Sequence, residues 1–354
     1  MPSGLPAGIN AAALSRFFVD HVPGASGPFD YELIAGGRSN LTYRVVAGGR
    51  SFVLRRPPLG HVLPTAHDMA REFRVLSALS PTDVPVPQTI ALCEDNSVNG
   101  TPFYVMEYCE GMVIGEEMPE GYAETPAERR ALSMAVADTL AKLHAVDYNA
   151  VGLGDFGRPE GYLERQVRRW GEQWERSKTR ELAEIDEAIR RLKNAIPVSP
   201  APTIVHGDYR IGNMILGLDD PGRVVALLDW EMATLGDPLS DLGYTLIYWV
   251  EPGDSEKRIE AVTAGDITTR EGFMTRAELI AEYARRSGQN VEHIDFYVAL
   301  AFYKLAVICE GINARWLSGE TVGDGFEPFG RRAELLAQLA VETADQSADP
   351  RLRG

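Results

Sequence analysis

The sequence predicts an α+β chain in two lobes, an N-terminal antiparallel sheet carrying one helix and then a mainly helical lobe. Three observations point there. Residues 31–108 read as short β-prone runs separated by Gly, Pro and Asn turns, with one amphipathic helical stretch among them. From Thr125 onward the helical period dominates. Within that second part, Met214 to Leu218 and Val224 to Leu228 flank Asp219-Asp220-Pro221-Gly222, which reads as a hairpin of two short buried strands.

Bulk properties set limits on what the chain does. Its 354 residues exceed one small core and suit two lobes, and 45% hydrophobic with 24% charged residues is a soluble globular composition. Cys93, Cys109 and Cys309 are far apart and form no C-x-x-C pair, as expected of a reducing cytoplasm and against a zinc or disulfide framework. No basic residue precedes Arg16 and no run approaches the roughly 18 apolar residues of a membrane span, so neither a signal peptide nor a membrane partner is expected. The net charge is −16: residues 1–110 hold 8 Arg and 10 Asp/Glu, net −2, which leaves −14 for the rest. That acidity disfavours nucleic acid. It suits a cationic substrate, or simply solubility. Oligomeric state is not legible.

Taken in order, Ala11 to Val19 forms a short leader helix, followed by strand, glycine turn, strand, hairpin and strand through Arg56. The turn Gly36-Gly37-Arg38-Ser39-Asn40 offers backbone N–H groups and small side chains able to cover phosphates, whereas Gly48-Gly49 reads as a plain hairpin turn. Alternation on Phe52-Val53-Leu54-Arg55 puts Val53 and Arg55 on one face of the sheet. Residues 1–110 contain no lysine, so a strand cation in this lobe has to be arginine. The helix His67 to Leu79 carries Glu72 on its apolar stripe, and a carboxylate there needs a partner; Arg55 is the obvious one. Pro81 to Pro87 is extended, and strands follow at Gln88 to Cys93 and Pro102 to Tyr108.

The first lobe is thus expected over 1–107, the second over 108–344, and a frayed tail over 345–354. Thr125-Pro126-Ala127-Glu128 is a helix start with N-cap, Pro at N1 and Glu at N3, leading into a stripe of Leu132, Val136, Leu140 and Leu143. Charged helices fill 160–195, where Trp170 and Trp174 share a face that either packs or stacks on a substrate ring. Further helices are predicted at Thr275–Ser287 and Ile294–Trp316, with Glu310, Asn313 and Arg315 near Trp316 open to a role in an acceptor pocket.

The chemistry concentrates in H-G-D-Y-R-I-G-N (206–213), L-D-W-E (228–231) and G-D-P-L-S-D-L (236–242). A polar loop feeds the first hairpin strand and Asp229 closes the second, which directs Asp208, Asn213 and Asp229 toward one edge of the hairpin. One carboxylate to orient and deprotonate a hydroxyl, plus two hard oxygen donors for Mg²⁺, is what phosphoryl transfer requires. His206 is expected to brace the loop, Asp241 to bond back to its N–H groups, and Asp237 to form a turn or N-cap.

These motifs resemble the aminoglycoside phosphotransferase (APH) family over roughly residues 30 to 330, and the resemblance implies a two-lobed protein-kinase-like fold. The run V-L-R-R-P-P is most similar to the kinase-like domains fused to some acyl-CoA dehydrogenases. What the resemblance implies is an ATP- or GTP-dependent phosphotransferase with Mg²⁺. Asp208 is the base and Asn213 and Asp229 the metal ligands. Gly37, Ser39, Asn40, Val53, Arg55, Glu72, and the main chain at Glu107 and Cys109 lie around the nucleotide. Arg210 either offsets transition-state charge or sits exposed. Gly236-Asp237-Pro238 follows Asp229 by seven positions, and Trp230-Glu231 stands after it, leaving no room for a peptide platform. A small-molecule hydroxyl acceptor is therefore expected, an amino-sugar or a hydroxyacyl-CoA. The alternative is a non-catalytic nucleotide-binding module.

Overall fold

The computed structural model describes residues 5–35, 40–59, 68–262, 265, 267–320 and 325–354. Gly37 and Ser39 of the glycine turn, and His67 at the expected helix start, lie outside them. The chain divides into two compact units: 1–110 with 225–231, and 111–224 with 232–354. The first unit is therefore not contiguous in sequence. A hydrogen bond from Leu227 N–H to the Pro85 carbonyl, 2.7 Å, ties the later segment to it.

In the first unit, helix α1 (Ala11–His21) begins at Asn10, whose side chain accepts the Ala13 N–H. Strands β1 (Phe29–Ala35), β2 (Leu41–Ala47) and β3 (Arg50–Arg56) are followed by helix α2 (Met69–Leu79), with Asp68 as N-cap. Strand β4 (Thr89–Cys93), the short helix α3 (Asn96–Asn99) and strand β5 (Phe103–Glu107) complete it. The sheet order is β1-β2-β3-β5-β4, antiparallel throughout. Gly48 and Gly49, with φ of 58° and 75°, make the two-residue turn that only left-handed backbone closes tightly. Phe52 and Leu54 pack into a core with Leu14, Phe18, Tyr43 and Phe103. Arg55, pairing with Thr42 and Tyr104 across the sheet, belongs to the other face with Val53.

The second unit opens with β6 (Met112–Val113) and α4 (Pro126–Ala145), which starts on a reciprocal capping box between Thr125 and Glu128. Helices α5 (Tyr162–Ser177) and α6 (Ala183–Asn194) precede strands β7 (Thr203–Val205) and β8 (Met214–Leu216). The turn after β8 is closed by Gly217 N–H to the Arg223 carbonyl, and β9 (Val224–Leu227) carries the chain into the first unit. On return, β10 (Thr234–Gly236) pairs antiparallel with β7. Helices α7 (Leu239–Tyr248), α8 (Glu256–Ala261), α9 (Arg276–Ser287) and α10 (Ile294–Leu317) follow. Gly243 lets α7 close on α10, since a Cβ there would come 2.7 Å from the Tyr297 backbone.

The frayed tail expected over 345–354 is corrected by the structure. Helix α11 (Phe329–Gln346) packs on α10, and helix α12 (Pro350–Arg353) follows, capped by Asp349 and anchored by the buried Leu352. Among the described residues no helix is long and apolar enough to cross a membrane.

Candidate active site

The loop from β7 to β8 holds Asp208 in a fixed frame. Asp241, on the first turn of α7 and fully buried, accepts the N–H of His206 and of Gly207, each at 2.7 Å. His144 of α4 lies 3.3 Å from the same carboxylate and 2.8 Å from the Tyr283 hydroxyl. Burial alone would raise Asp241, but the His144 contact and the Gly207 N–H overcome it and hold the carboxyl below its usual range. Gly207 has φ of +86°, and a Cβ there would meet the Met232 backbone at 2.8 Å, so glycine is required twice over. The Asp208 N–H donates to His206 Nδ1 at 3.2 Å, which leaves the His206 proton on Nε2.

Asn213 then locks the base candidate. Its Nδ2 donates to the Asp208 carbonyl at 2.8 Å and to Oδ2 of the Asp208 carboxylate at 2.7 Å, so Oδ1 is the atom left to act as an oxygen ligand. Arg210 is not on the open surface: its Nε lies 3.5 Å from Asp208 Oδ1, and its guanidinium sits over the Tyr248 ring at 5.2 Å. A small cavity of about 40 Å³ is lined by Arg210, Ile211, Tyr248 and Trp249. Lys304 of α10 donates to the Gly207 carbonyl at 2.6 Å.

In the first unit, Arg55 grips two carboxylates. Its Nε and Nη2 reach Glu72 at 2.9 and 3.3 Å, and Nη2 also reaches Asp229 Oδ1 at 2.5 Å. Glu72, 2% exposed, further accepts from the Tyr104 hydroxyl at 2.9 Å and from Asn40 Nδ2 at 3.2 Å. Burial pushes the Glu72 carboxyl up, against the pull of Arg55. Asp229 has φ of 67°, left-handed backbone that a non-glycine residue adopts only when its surroundings impose it. Carboxylate oxygens of Glu72, Asp229 and Glu231 lie within 4.8 Å of one another. Asn40 Nδ2 also donates to Glu231, and its buried Oδ1 has no hydrogen-bond partner among the described residues. Hard oxygen donors beside one unpaired buried amide oxygen fit a hard divalent cation.

The structure thus brings together Asp208, Arg210 and Asn213 in one unit, and Asn40, Arg55, Glu72 and Asp229 in the other. Asn40 is turned to the carboxylates rather than outward. Val53, 5% exposed, shares the sheet face of Arg55. Glu107 spends its main-chain N–H on the Gln88 carbonyl at 2.8 Å, so that donor serves the sheet. The Cys109 thiol, partly buried, is pushed up to about 11 by burial. Glu310 and Asn313 hold the α5–α6 connection: Glu310 accepts the Thr179 N–H and hydroxyl at 2.8 and 2.6 Å, and Asn313 reaches the same hydroxyl. Arg315 is exposed. Sequence reasoning missed Lys304, although a lone lysine inside the apolar run A-F-Y-K-L-A-V was a signal.

Residues 30–288 match the phosphotransferase enzyme family, APH. The chain belongs to that family. This phosphotransferase-family chain is 35% identical over 321 residues to acyl-CoA dehydrogenase family member 10 of Mus musculus, covering 90% of itself and 30% of that protein. The chain spans about 30 to 45% of the length of the curated mouse and rat relatives it matches. A crystal structure of a Ralstonia eutropha protein bearing the name aminoglycoside phosphotransferase superposes with a TM-score of 0.81 at 34% identity, covering 96% of this chain and 99% of that one. A thermostable aminoglycoside phosphotransferase APH(4)-Ia, in a ternary complex with AMP-PNP and hygromycin B, shares the fold at a TM-score of 0.61 and 14% identity, over 95% of this chain and 99% of its own. The α+β architecture of the phosphotransferase-family chain is the kinase-like one.

Proposed function

We propose that this chain is a small-molecule kinase that moves the γ-phosphoryl of a nucleoside triphosphate, ATP or GTP, to a hydroxyl group. The observation that carries this reading is the doubly held Asp208: Asn213 fixes its carboxylate, while Asp241 fixes the loop before it. A carboxylate so held accepts the proton of an acceptor hydroxyl as its oxygen attacks phosphorus. Arg210, at 3.5 Å from that carboxylate, is set to offset developing negative charge. In the other unit, Arg55, oriented by Glu72, is assigned to contact a phosphate oxygen through Nη1, the guanidinium nitrogen that neither Glu72 nor Asp229 takes. Asn213 and Asp229 are assigned as oxygen ligands of Mg²⁺, which when bound neutralises phosphate charge.

For the acceptor we favour a hydroxyacyl thioester of coenzyme A over an amino-sugar. The name of the mouse relative supports this, as do two cations, Arg210 and Lys304, flanking the Asp208 loop, which disfavour a polycationic acceptor. The test is ADP release from Mg·ATP, wild type beside Asp208→Asn, with a pool of hydroxyacyl-CoA thioesters and a pool of aminoglycosides. Release in wild type alone, with the first pool alone, is the expected result. ATP that raises the melting temperature without release from any pool would replace the kinase reading with a nucleotide-binding module, and release with aminoglycosides would replace the acceptor.

A further inference from the structure

Lys304 is a buried cation behind the Asp208 loop. Its Nζ donates to the Gly207 carbonyl at 2.6 Å, and the ammonium lies 4.3 Å from the Tyr244 ring centroid and 5.8 Å from that of Trp170. The peptide between Gly207 and Asp208 is thereby held from both sides, its C=O by Lys304 and its N–H by His206 Nδ1. A glycine at φ of +86° leaves that peptide free to rotate unless something stops it. A neutral amide or hydroxyl donor would stop it equally well, without the cost of desolvating an ammonium.

The charge itself therefore has a use. The charged groups that face Lys304 are Asp208, Asp241 and Arg169, the last a cation. Asp241 is already satisfied by two backbone N–H groups and His144. The attraction that remains on Lys304 is that of Asp208.

We infer that Lys304 is a positioning residue for phosphoryl transfer: it clamps the Gly207 peptide so that the Asp208 carboxylate keeps its aim, and its charge faces that carboxylate. This rests on the reading of Asp208 as the base. Burial lowers the Lys304 ammonium to about 8, with Asp208 and Asp241 opposing the shift. The ammonium is thus charged at neutral pH and loses its proton as pH rises through about 8.

Two measurements test the inference, one of them independent of any acceptor. The chain has five lysines, so ¹³C-labelling at lysine Cε gives five signals, and Lys304→Arg identifies the one of interest. That signal is expected to titrate near 8 in wild type and lower in Asp208→Asn, which removes the attracting carboxylate. Titration near the ordinary 10.5, or no change in Asp208→Asn, would overturn the coupling. In ADP release with the hydroxyacyl-CoA pool, Lys304→Met is expected to lower kcat about 100-fold while leaving the ATP-induced melting shift intact. The wild-type kcat should fall above about pH 8, and Lys304→Arg should restore kcat and abolish that fall. Wild-type kcat and an unchanged alkaline limb in Lys304→Met would reduce the lysine to packing, even if its melting temperature dropped. Full activity in Asp208→Asn would instead remove the base assignment, a separate failure.

Discussion

Arg55 and Asp229 share an ion pair at 2.5 Å, made by the same guanidinium nitrogen that also reaches Glu72. Planar geometry lets one arginine span two carboxylates, which a single ammonium on a flexible stem does less well. With Arg55 replaced by Met, Glu72 would be left buried beside Asp229 without a counter-charge. Arg55→Met is expected to destabilise the protein by about 3–5 kcal/mol, and Arg55→Lys by less. Urea unfolding checks this, and a midpoint for Arg55→Met equal to wild type would show that the pair does not hold the unit.

Asp229 combines a left-handed backbone with the carboxylate assigned to the metal. Asparagine tolerates that backbone and keeps an oxygen for Arg55, but it carries no charge. Asp229→Asn is expected to keep stability within about 1 kcal/mol and to lose the extra rise in melting temperature that Mg²⁺ adds to ATP. Thermal shifts with ATP, with and without Mg²⁺, read this directly; a preserved Mg²⁺ increment would remove Asp229 from the ligand set.

Asp241 links acidity to the loop it pins. Its folded carboxyl lies below the ordinary 3.8, so its contribution is fully present above the unfolded value and is lost as pH falls through the folded one. Asp241→Asn turns an N–H donor toward a backbone N–H and is expected to cost about 2–4 kcal/mol at pH 7, with the gap to wild type shrinking below pH 4. Denaturation midpoints from pH 7 down to 3 test the sign, and a constant gap would mean the charge is not what matters.

Lys304 is also depressed on folding, but here burial, which disfavours the charged form, is the cause. Its folded value, about 8, lies below the unfolded 10.5, so the unfolded chain binds more protons between them and stability rises with pH across that window. Relative to wild type, Lys304→Met should gain on the order of 2 kcal/mol more at pH 7.5 than at pH 10.5. Urea midpoints at the two values decide it. Activity should fall over the range in which stability improves, so one residue would trade the one against the other.

Much of this was legible because it is local. The alternation of Phe52 to Arg55, the lone carboxylate Glu72 on an apolar stripe, and the capping box at Thr125 each follow from spacing alone. So does the bracing by His206 and Asp241, since buried polar groups in an apolar run have to find partners. What was not legible depends on distant packing. No local pattern in 225–231 shows that Pro85 claims it for the first unit. The last helix forms because Leu352 finds a buried place, which its polar flanks conceal. The bonds of Glu310 and Asn313 to Thr179 were not legible, because helical spacing gives a face and not the neighbour across it.

The absence of lysine from residues 1–110 also decides which reagents would find the nucleotide site proposed for that unit. Acyl-phosphate derivatives of ATP mark kinases by acylating the side-chain amine beside the phosphates, and a guanidinium, protonated at any working pH, does not take the acyl group. If Arg55 meets the phosphates as proposed, a survey built on such probes would pass over this unit even with nucleotide bound. Dicarbonyl reagents such as phenylglyoxal, which condense with arginine, are the chemistry that would register it, with ATP protection as the control.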